Sequence, residues 1–193
     1  MSARAVRLTL EDIRDLLAKE AQIELIGGEI VQRAMTSADH GTSQTKLGEL
    51  LGPLHRKPGG PRGPGGWWFM SEVDIHYPLN GDVYRHDLMG FRRDAHPKKP
   101  QGSPLEIRPD WVCEILSESN ARNDTVRKQR TLHLHGVPHY WLRDPMRRVL
   151  TVLRHAPEGY LAVLVTELDQ VVRAEPFTEI EIDLRELLED QDV

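Results

Sequence analysis

The segment Trp111-Val112-Cys113-Glu114-Ile115-Leu116 is a short apolar run broken by one carboxylate. Such a run suits a central strand covered on both faces. An ionised carboxylate between Val112, Cys113, Ile115 and Leu116 is costly unless a counter-charge or a metal ion meets it. The chain must therefore bring a partner to Glu114. A plain ion pair with an arginine at the strand's open end would satisfy that need, and so would a metal-binding constellation.

The partner can be sought by geometry. Asp110 lies four residues before Glu114 on the same run. Four residues of strand span about 13 Å, too far for two carboxylates to share one ion at bonds of roughly 2.1 Å. Asp110 is better read as a cap at the start of the strand. Asp87 comes from an earlier segment, 27 positions upstream. From a neighbouring strand it could face Glu114 at about 5 Å. Lys128 follows Asp124 by one helical turn on the helix expected after the Glu114 strand. It would either pair with Asp124 on the surface or point back at the strand's end.

The rest of the chain reads as alternating elements of one α/β unit. With 193 residues, 39% of them hydrophobic and 28% charged, one domain over 1–193 with one core is expected. Leu8 to Lys19 has the apolar stripe of an amphipathic helix, with Thr9 and Asp12 in capping positions. Ile23–Leu25, Gly27-Gly28 and Glu29–Arg33 read as a hairpin. A second helix is expected from about His40 to Leu51, stopped by Gly52-Pro53. Trp67–Tyr77 reads as one strand. Asn80-Gly81 turns the chain, which returns from Asp82 through Phe91. A helix from about Thr125 to His135, stopped by Gly136 and Pro138, leads to strands at His139–Leu142, Val149–Arg154, Tyr160–Glu167, Val171–Ala174 and Glu179–Asp183. Leu184–Leu188 reads as a last short helix.

Several strings together resemble the Uma-type restriction endonuclease family. These are Ile23-Glu24-Leu25-Ile26-Gly27-Gly28-Glu29-Ile30, Asp39-His40-Gly41 before a helix, and Arg85-His86-Asp87 after a hairpin. Pro109-Asp110-Trp111-Val112-Cys113-Glu114-Ile115-Leu116-Ser117 follows, then Asp124 with Lys128, Gly136-Val137-Pro138-His139-Tyr140-Trp141-Leu142 and Asp144-Pro145. The resemblance runs over about residues 8–188. It implies a restriction-endonuclease-like PD-(D/E)XK core, with a mixed central β-sheet flanked by helices and additional β-hairpins. It implies metal-dependent hydrolysis of DNA phosphodiesters by a metal-activated water. Asp87 and Glu114 match the metal carboxylates, with Mg²⁺ or Mn²⁺ as the ion and the Ile115 main-chain carbonyl completing its shell. Leu116 stands where a lysine is usual, and Lys128 matches the lysine that this family supplies from the following helix. Glu24 matches a further acidic position near the ion, and His40 a family histidine. Two departures are His86 in place of a proline before Asp87, and Glu118 after the strand.

Other signals are weaker. Cys113 excludes an internal disulfide and reads as buried. His133 and His135 point to opposite sides of a helix, so with His139 they fit no zinc pattern. Trp67-Trp68 reads as core. Neither a phosphate-binding glycine loop with its lysine nor a Gly-x-Ser-x-Gly elbow is present. The net charge of −5 offers no global attraction to nucleic acid. DNA contact would fall to local basic loops: Arg56, Lys57 and Arg62, then Arg92, Arg93, Lys98 and Lys99. No apolar run reaches the ~18–20 residues of a membrane span, nor does the N-terminus carry the apolar stretch of a signal peptide, so a cytoplasmic location is expected. Cutting both DNA strands would favour a homodimer. The competing reading is a catalytically silent nuclease fold that binds nucleic acid or serves assembly.

Overall fold

The computed structural model describes residues 7–19, 22–33, 37–59, 63–117 and 121–188. It is a mixed α/β fold built on two sheets. One has the order β2-β1-β5-β4, the other β10-β9-β8-β7-β6-β3. The strands are β1 (Ile23–Ile26), β2 (Glu29–Gln32), β3 (Trp67–Met70), β4 (Val73–Tyr77), β5 (Asp82–His86), β6 (Leu88–Arg92), β7 (Trp111–Ile115), β8 (His139–Asp144), β9 (Val149–Ala156) and β10 (Gly159–Glu167). A two-stranded pair, β11 (Val171–Val172) with β12 (Ile182–Asp183), follows, then a 3₁₀ turn at Leu184–Leu187. Among the described residues no helix is long and apolar enough to cross a membrane.

The first helix, α1 (Leu10–Lys19), buries Leu10, Ile13 and Leu17 against Ile23, Leu25 and Val83. Asp12 Oδ2 accepts from both the N–H and the hydroxyl of Thr9, fixing its start. The β1–β2 turn uses Gly27 and Gly28 at φ 63° and 82°, a conformation that only glycine adopts without cost. The second helix, α2 (Ala38–Leu50), is capped by Ser37, whose hydroxyl accepts the His40 N–H.

The expected single strand over Trp67–Tyr77 is instead two strands in different sheets. β3 pairs with β6 and β4 with β5, so residues 67–92 form one long hairpin that passes from one sheet into the other. Both arms break at the crossing, at Ser71-Glu72 and at Asp87. The breaks lie side by side, because Met70 pairs with Met89 and Val73 with His86. Period-two patterning reports which face a residue takes, not where its ladder changes sheets. Glu72 takes φ 55° at the bend, a backbone conformation rare for any residue but glycine and asparagine. Across the same hairpin, Gly90 leaves room for the rings of Trp67 and Phe69.

β7 is buried along its whole length. Trp111 and Cys113 face one core, with Trp67, Trp141 and Phe177. Val112 faces the other, with Met89, Phe91, Leu132 and Tyr140. The chain leaves β7, runs through a π-helical segment (Asn123–Lys128) into α3 (Gln129–Leu134), and returns as β8, parallel to β7. All other pairings in the large sheet are antiparallel.

Candidate active site

The last laddered pair between β6 and β7 is Leu88 with Cys113. Asp87 and Glu114 are the next residue on each strand, so the seam of the bent hairpin opens directly beside the buried carboxylate. Asp87 Oδ2 accepts the Ile115 N–H at 2.7 Å. In a strand the N–H and C=O of one residue leave by the same edge, so the Ile115 carbonyl lies on the Asp87 side of β7. Asp87 Oδ1 meets His40 Nε2 at 3.2 Å and the Arg33 guanidinium at 3.3 Å. One turn after His40, Gln44 donates to the Asp87 carbonyl at 2.6 Å. Helix α2 therefore grips Asp87 by both side chain and backbone.

Glu114 faces the helix after β7. Lys128 Nζ lies 3.1 Å from Glu114, 3.1 Å from Asp124 and 3.2 Å from Glu24. Lys128 and Asp124 are both buried, so the i,i+4 pair points inward and is not a surface pair. Glu24 also accepts the Arg85 N–H at 3.1 Å. Behind Glu114, His86 is wholly buried. Its Nδ1 lies 2.5 Å from Glu114 Oε1 and its Nε2 lies 2.7 Å from the Tyr77 hydroxyl. Donation from Nδ1 to the carboxylate and acceptance from the hydroxyl at Nε2 satisfy both ring nitrogens.

The electrostatics follow from burial and crowding. Among the described residues, five carboxylates (Glu24, Glu72, Asp87, Glu114 and Asp124) share two permanent cations, Arg33 and Lys128. Burial pushes the Glu114 carboxyl well up, against the pull of Lys128. Asp124 is also raised by burial. Burial acts the same way on Asp87, but bonds from His40 and Ile115 and the charge of Lys128 bring it below its usual value. Desolvation alone would lower the Lys128 ammonium; Glu114, Glu24, Asp124 and Asp87 together hold it well above normal. His86 is held well below normal by burial, then by Lys128 and Arg33. His40 is raised, chiefly by its bond to Asp87.

A family model described as Putative restriction endonuclease matches residues 10–185. The chain belongs to this Uma2 family. The fold agrees with a solved structure from Anabaena variabilis ATCC 29413, described as a putative nuclease belonging to DUF820. The TM-score is 0.72 at 23% identity, covering 93% of this chain and 97% of that one. No curated protein matches. Membership of Uma2 places the chain in a family described as nucleases, and the solved structure shares its fold.

A divalent ion suits the donors of this Uma2 chain. Among the described residues, one ligand atom each of His40, Glu72 and Asp87 lie within 4.8 Å of one another. Donors about 2.1 Å from one ion stand about 3.0 Å apart when adjacent and about 4.2 Å when opposed. The excess of carboxylates over cations is the imbalance that a divalent ion would offset.

Sequence reasoning named Asp87, Glu114, Ile115, Lys128, Glu24 and His40, and these gather at the seam. It missed Glu72, Arg33 and Gln44. Ser71-Glu72 did carry a signal, a polar pair interrupting an aromatic and aliphatic run. Of the basic residues, Arg92 and Arg93 lie at the far end of β6. Arg92 is five residues along β6 from Asp87, about 17 Å away. Arg93 donates to the carbonyls of Trp67 and His55 and stacks 3.3 Å over the Trp68 ring. Arg92 is paired with Asp94 at 2.5 Å. Lys98, Lys99, Arg56 and Lys57 are exposed; Arg62 and Glu118 lie outside the described residues.

Proposed function

We propose that this Uma2 protein is a divalent-metal-dependent endonuclease that hydrolyses phosphodiester bonds in DNA. The observation that carries the reading is the buried contact of Glu114 with Lys128, beside Asp87 at the hairpin seam. Asp87, Glu114 and the Ile115 carbonyl would hold Mg²⁺ or Mn²⁺, with Glu24 able to bind a further ligand of the ion. The ion would supply Lewis acidity, polarising a phosphoryl oxygen and acidifying a water. Lys128 would orient the nucleophile and stabilise the negative charge that grows on the phosphoryl oxygens. His86 would position Glu114 by holding one of its oxygens. Exposed Lys98 and Lys99 would take more distant phosphates, making affinity fall with salt. A homodimer would present two such sites to opposite strands, in a cytoplasmic setting.

The test is nicking of supercoiled plasmid by metal-stripped protein, with Mg²⁺ or Mn²⁺ added back. Cutting that needs the ion and disappears in Asp87→Ala, Glu114→Ala and Lys128→Ala supports the reading. Cutting unchanged in these variants sinks it. Metal binding without cutting of DNA or RNA would favour a silent nuclease fold.

A further inference from the structure

We infer that His40 and Glu72 are metal ligands alongside Asp87, and that this donor set selects a first-row transition ion such as Mn²⁺ over Mg²⁺. The inference deepens the nuclease reading and rests on it for the ion's use, though not for its binding.

Three separate elements converge to build the set. His40 comes from the first turn of α2, Glu72 from the bend between β3 and β4, and Asp87 from the bend between β5 and β6. His40 Nε2 already stands 3.2 Å from Asp87 Oδ1, and a Glu72 oxygen completes a group no wider than 4.8 Å. An ion drawing all three donors to about 2.1 Å needs only small side-chain movements.

A cation already sits against two of these donors. The Arg33 guanidinium lies 2.6 Å from Glu72 Oε2, 3.3 Å from Asp87 Oδ1 and 3.9 Å from Glu24 Oε1. Only 9% of its side chain is exposed. A planar cation with several donors can stand in for a metal ion among carboxylates. The geometry makes Arg33 the internal occupant that an arriving ion displaces from Glu72 and Asp87. Gln44 holds the Asp87 backbone from α2, so the larger shift falls on the Arg33 side chain and the Asp87 backbone stays in place.

The donor chemistry gives the ion class. Mg²⁺ prefers oxygen donors and gives up water reluctantly. An imidazole nitrogen beside two carboxylates favours first-row transition ions, whose affinity for nitrogen exceeds that of Mg²⁺.

The experiment uses the full chain, stripped of metal, with Mn²⁺ or Mg²⁺ alone as probe. Calorimetry should give Mn²⁺ binding at least ten-fold tighter than Mg²⁺. Pulsed electron paramagnetic resonance of the Mn²⁺ protein should show coupling to a ¹⁴N nucleus. Replacing all histidines with ¹⁵N-histidine should convert that coupling to ¹⁵N without any mutation. In His40→Ala the nitrogen coupling should vanish and Mn²⁺ affinity should fall at least ten-fold; Glu72→Gln should weaken binding to a similar degree and retain the coupling. Absence of nitrogen coupling in the wild type, its survival in folded His40→Ala, or equal affinity for the two ions would overturn the inference. Nitrogen-coupled Mn²⁺ binding without DNA cutting would remove the nuclease reading and keep the site. Mg²⁺-driven cutting with no nitrogen coupling would do the reverse.

Discussion

Lys128 Nζ lies 3.1 Å from Glu114 Oε1, and neither side chain exposes more than 4% of its surface. The ammonium also holds Asp124 and Glu24. Lys128→Met would leave three carboxylates facing one another in a water-poor interior. Removing one partner of a buried ionic network costs roughly 3–5 kcal/mol. Urea unfolding of the metal-free protein at neutral pH should show a loss of that order. A loss under ~1 kcal/mol would mean that water reaches the cluster freely.

Two neutralising substitutions at neighbouring carboxylates should have opposite signs. Glu114 is raised by burial, so its charge opposes folding, and Glu114→Gln retains an acceptor for His86. Asp87 is lowered despite burial, so its charge is favoured in the folded state. At neutral pH the metal-free Glu114→Gln variant should match or exceed wild-type stability, while Asp87→Asn should fall below it. Both should lose metal-dependent cutting. Denaturant midpoints that moved the same way would contradict the electrostatic description.

How much of this could be read from the sequence differs by residue. Trp111–Leu116 announced a buried strand because apolar burial on both faces leaves a visible run. Gly27-Gly28 and Asn80-Gly81 announced turns because few residues tolerate the required φ. Glu114 drew attention because an isolated buried charge is rare and costly. Glu72 and Arg33 stayed hidden for a physical reason. Glu72 enters the site because a hairpin bends from one sheet into another, and Arg33, just after β2, meets it there. Both depend on long-range pairing, and the polar Ser71-Glu72 break marks only where the run is interrupted. The basic loops pose a related problem. A charge run gives no sign of which end of a strand it occupies, and β6 sets Arg92 and Arg93 at the end away from Asp87.

Histidine chemistry supplies a pH test. In the unfolded chain an imidazole titrates near ~6.5. Folded His86 stays neutral well below that, because burial removes its hydration and because Lys128 and Arg33 oppose a third positive charge. Of the groups facing it, Glu114 is acidic and Tyr77 is a neutral hydroxyl. As pH falls below ~6.5 the unfolded chain takes up a proton that folded His86 refuses. Stability should then drop by up to about 1.4 kcal/mol per pH unit. His40 is raised by Asp87 and contributes with the opposite sign. The comparison is therefore wild type against His86→Asn, which keeps a donor near Glu114 and cannot titrate. The variant should lose less stability than wild type between pH 7 and pH 5.5, values on either side of the ~6.5 titration. Parallel curves would show that His86 does take up a proton.

The bent hairpin depends on a close approach at Gly90. A Cβ there would come within 3.0 Å of ring carbons of both Phe69 and Trp67. Those rings are stacked 5.9 Å apart and packed against Phe177, and Trp67 is buried, so relief of the contact must come mainly from the partly buried Phe69. Gly90→Ala should cost about 1–3 kcal/mol through overpacking. Adding Phe69→Leu should recover part of the loss. An unchanged urea midpoint for Gly90→Ala would mean that the aromatic cluster yields more easily than its packing implies.

The basic loops separate a structural arginine from phosphate-binding candidates. Arg93 stacks on Trp68 and donates to the carbonyls of Trp67 and His55, tying the segment before β3 to the end of β6. Arg93→Ala should therefore destabilise the fold by about 1–2 kcal/mol, because the stacking and the hydrogen bonds both go. Lys98 and Lys99 are exposed, so Lys98→Gln with Lys99→Gln should leave stability within about 0.5 kcal/mol of wild type. If these lysines neutralise phosphates, the double variant should bind duplex DNA more weakly. The slope of log affinity against log salt should then become shallower by about 0.9 for each phosphate no longer neutralised. Fluorescence anisotropy over a salt series, beside thermal unfolding, measures both effects. An unchanged salt slope in the double variant would remove this loop from the DNA path and move the search to surfaces nearer Asp87.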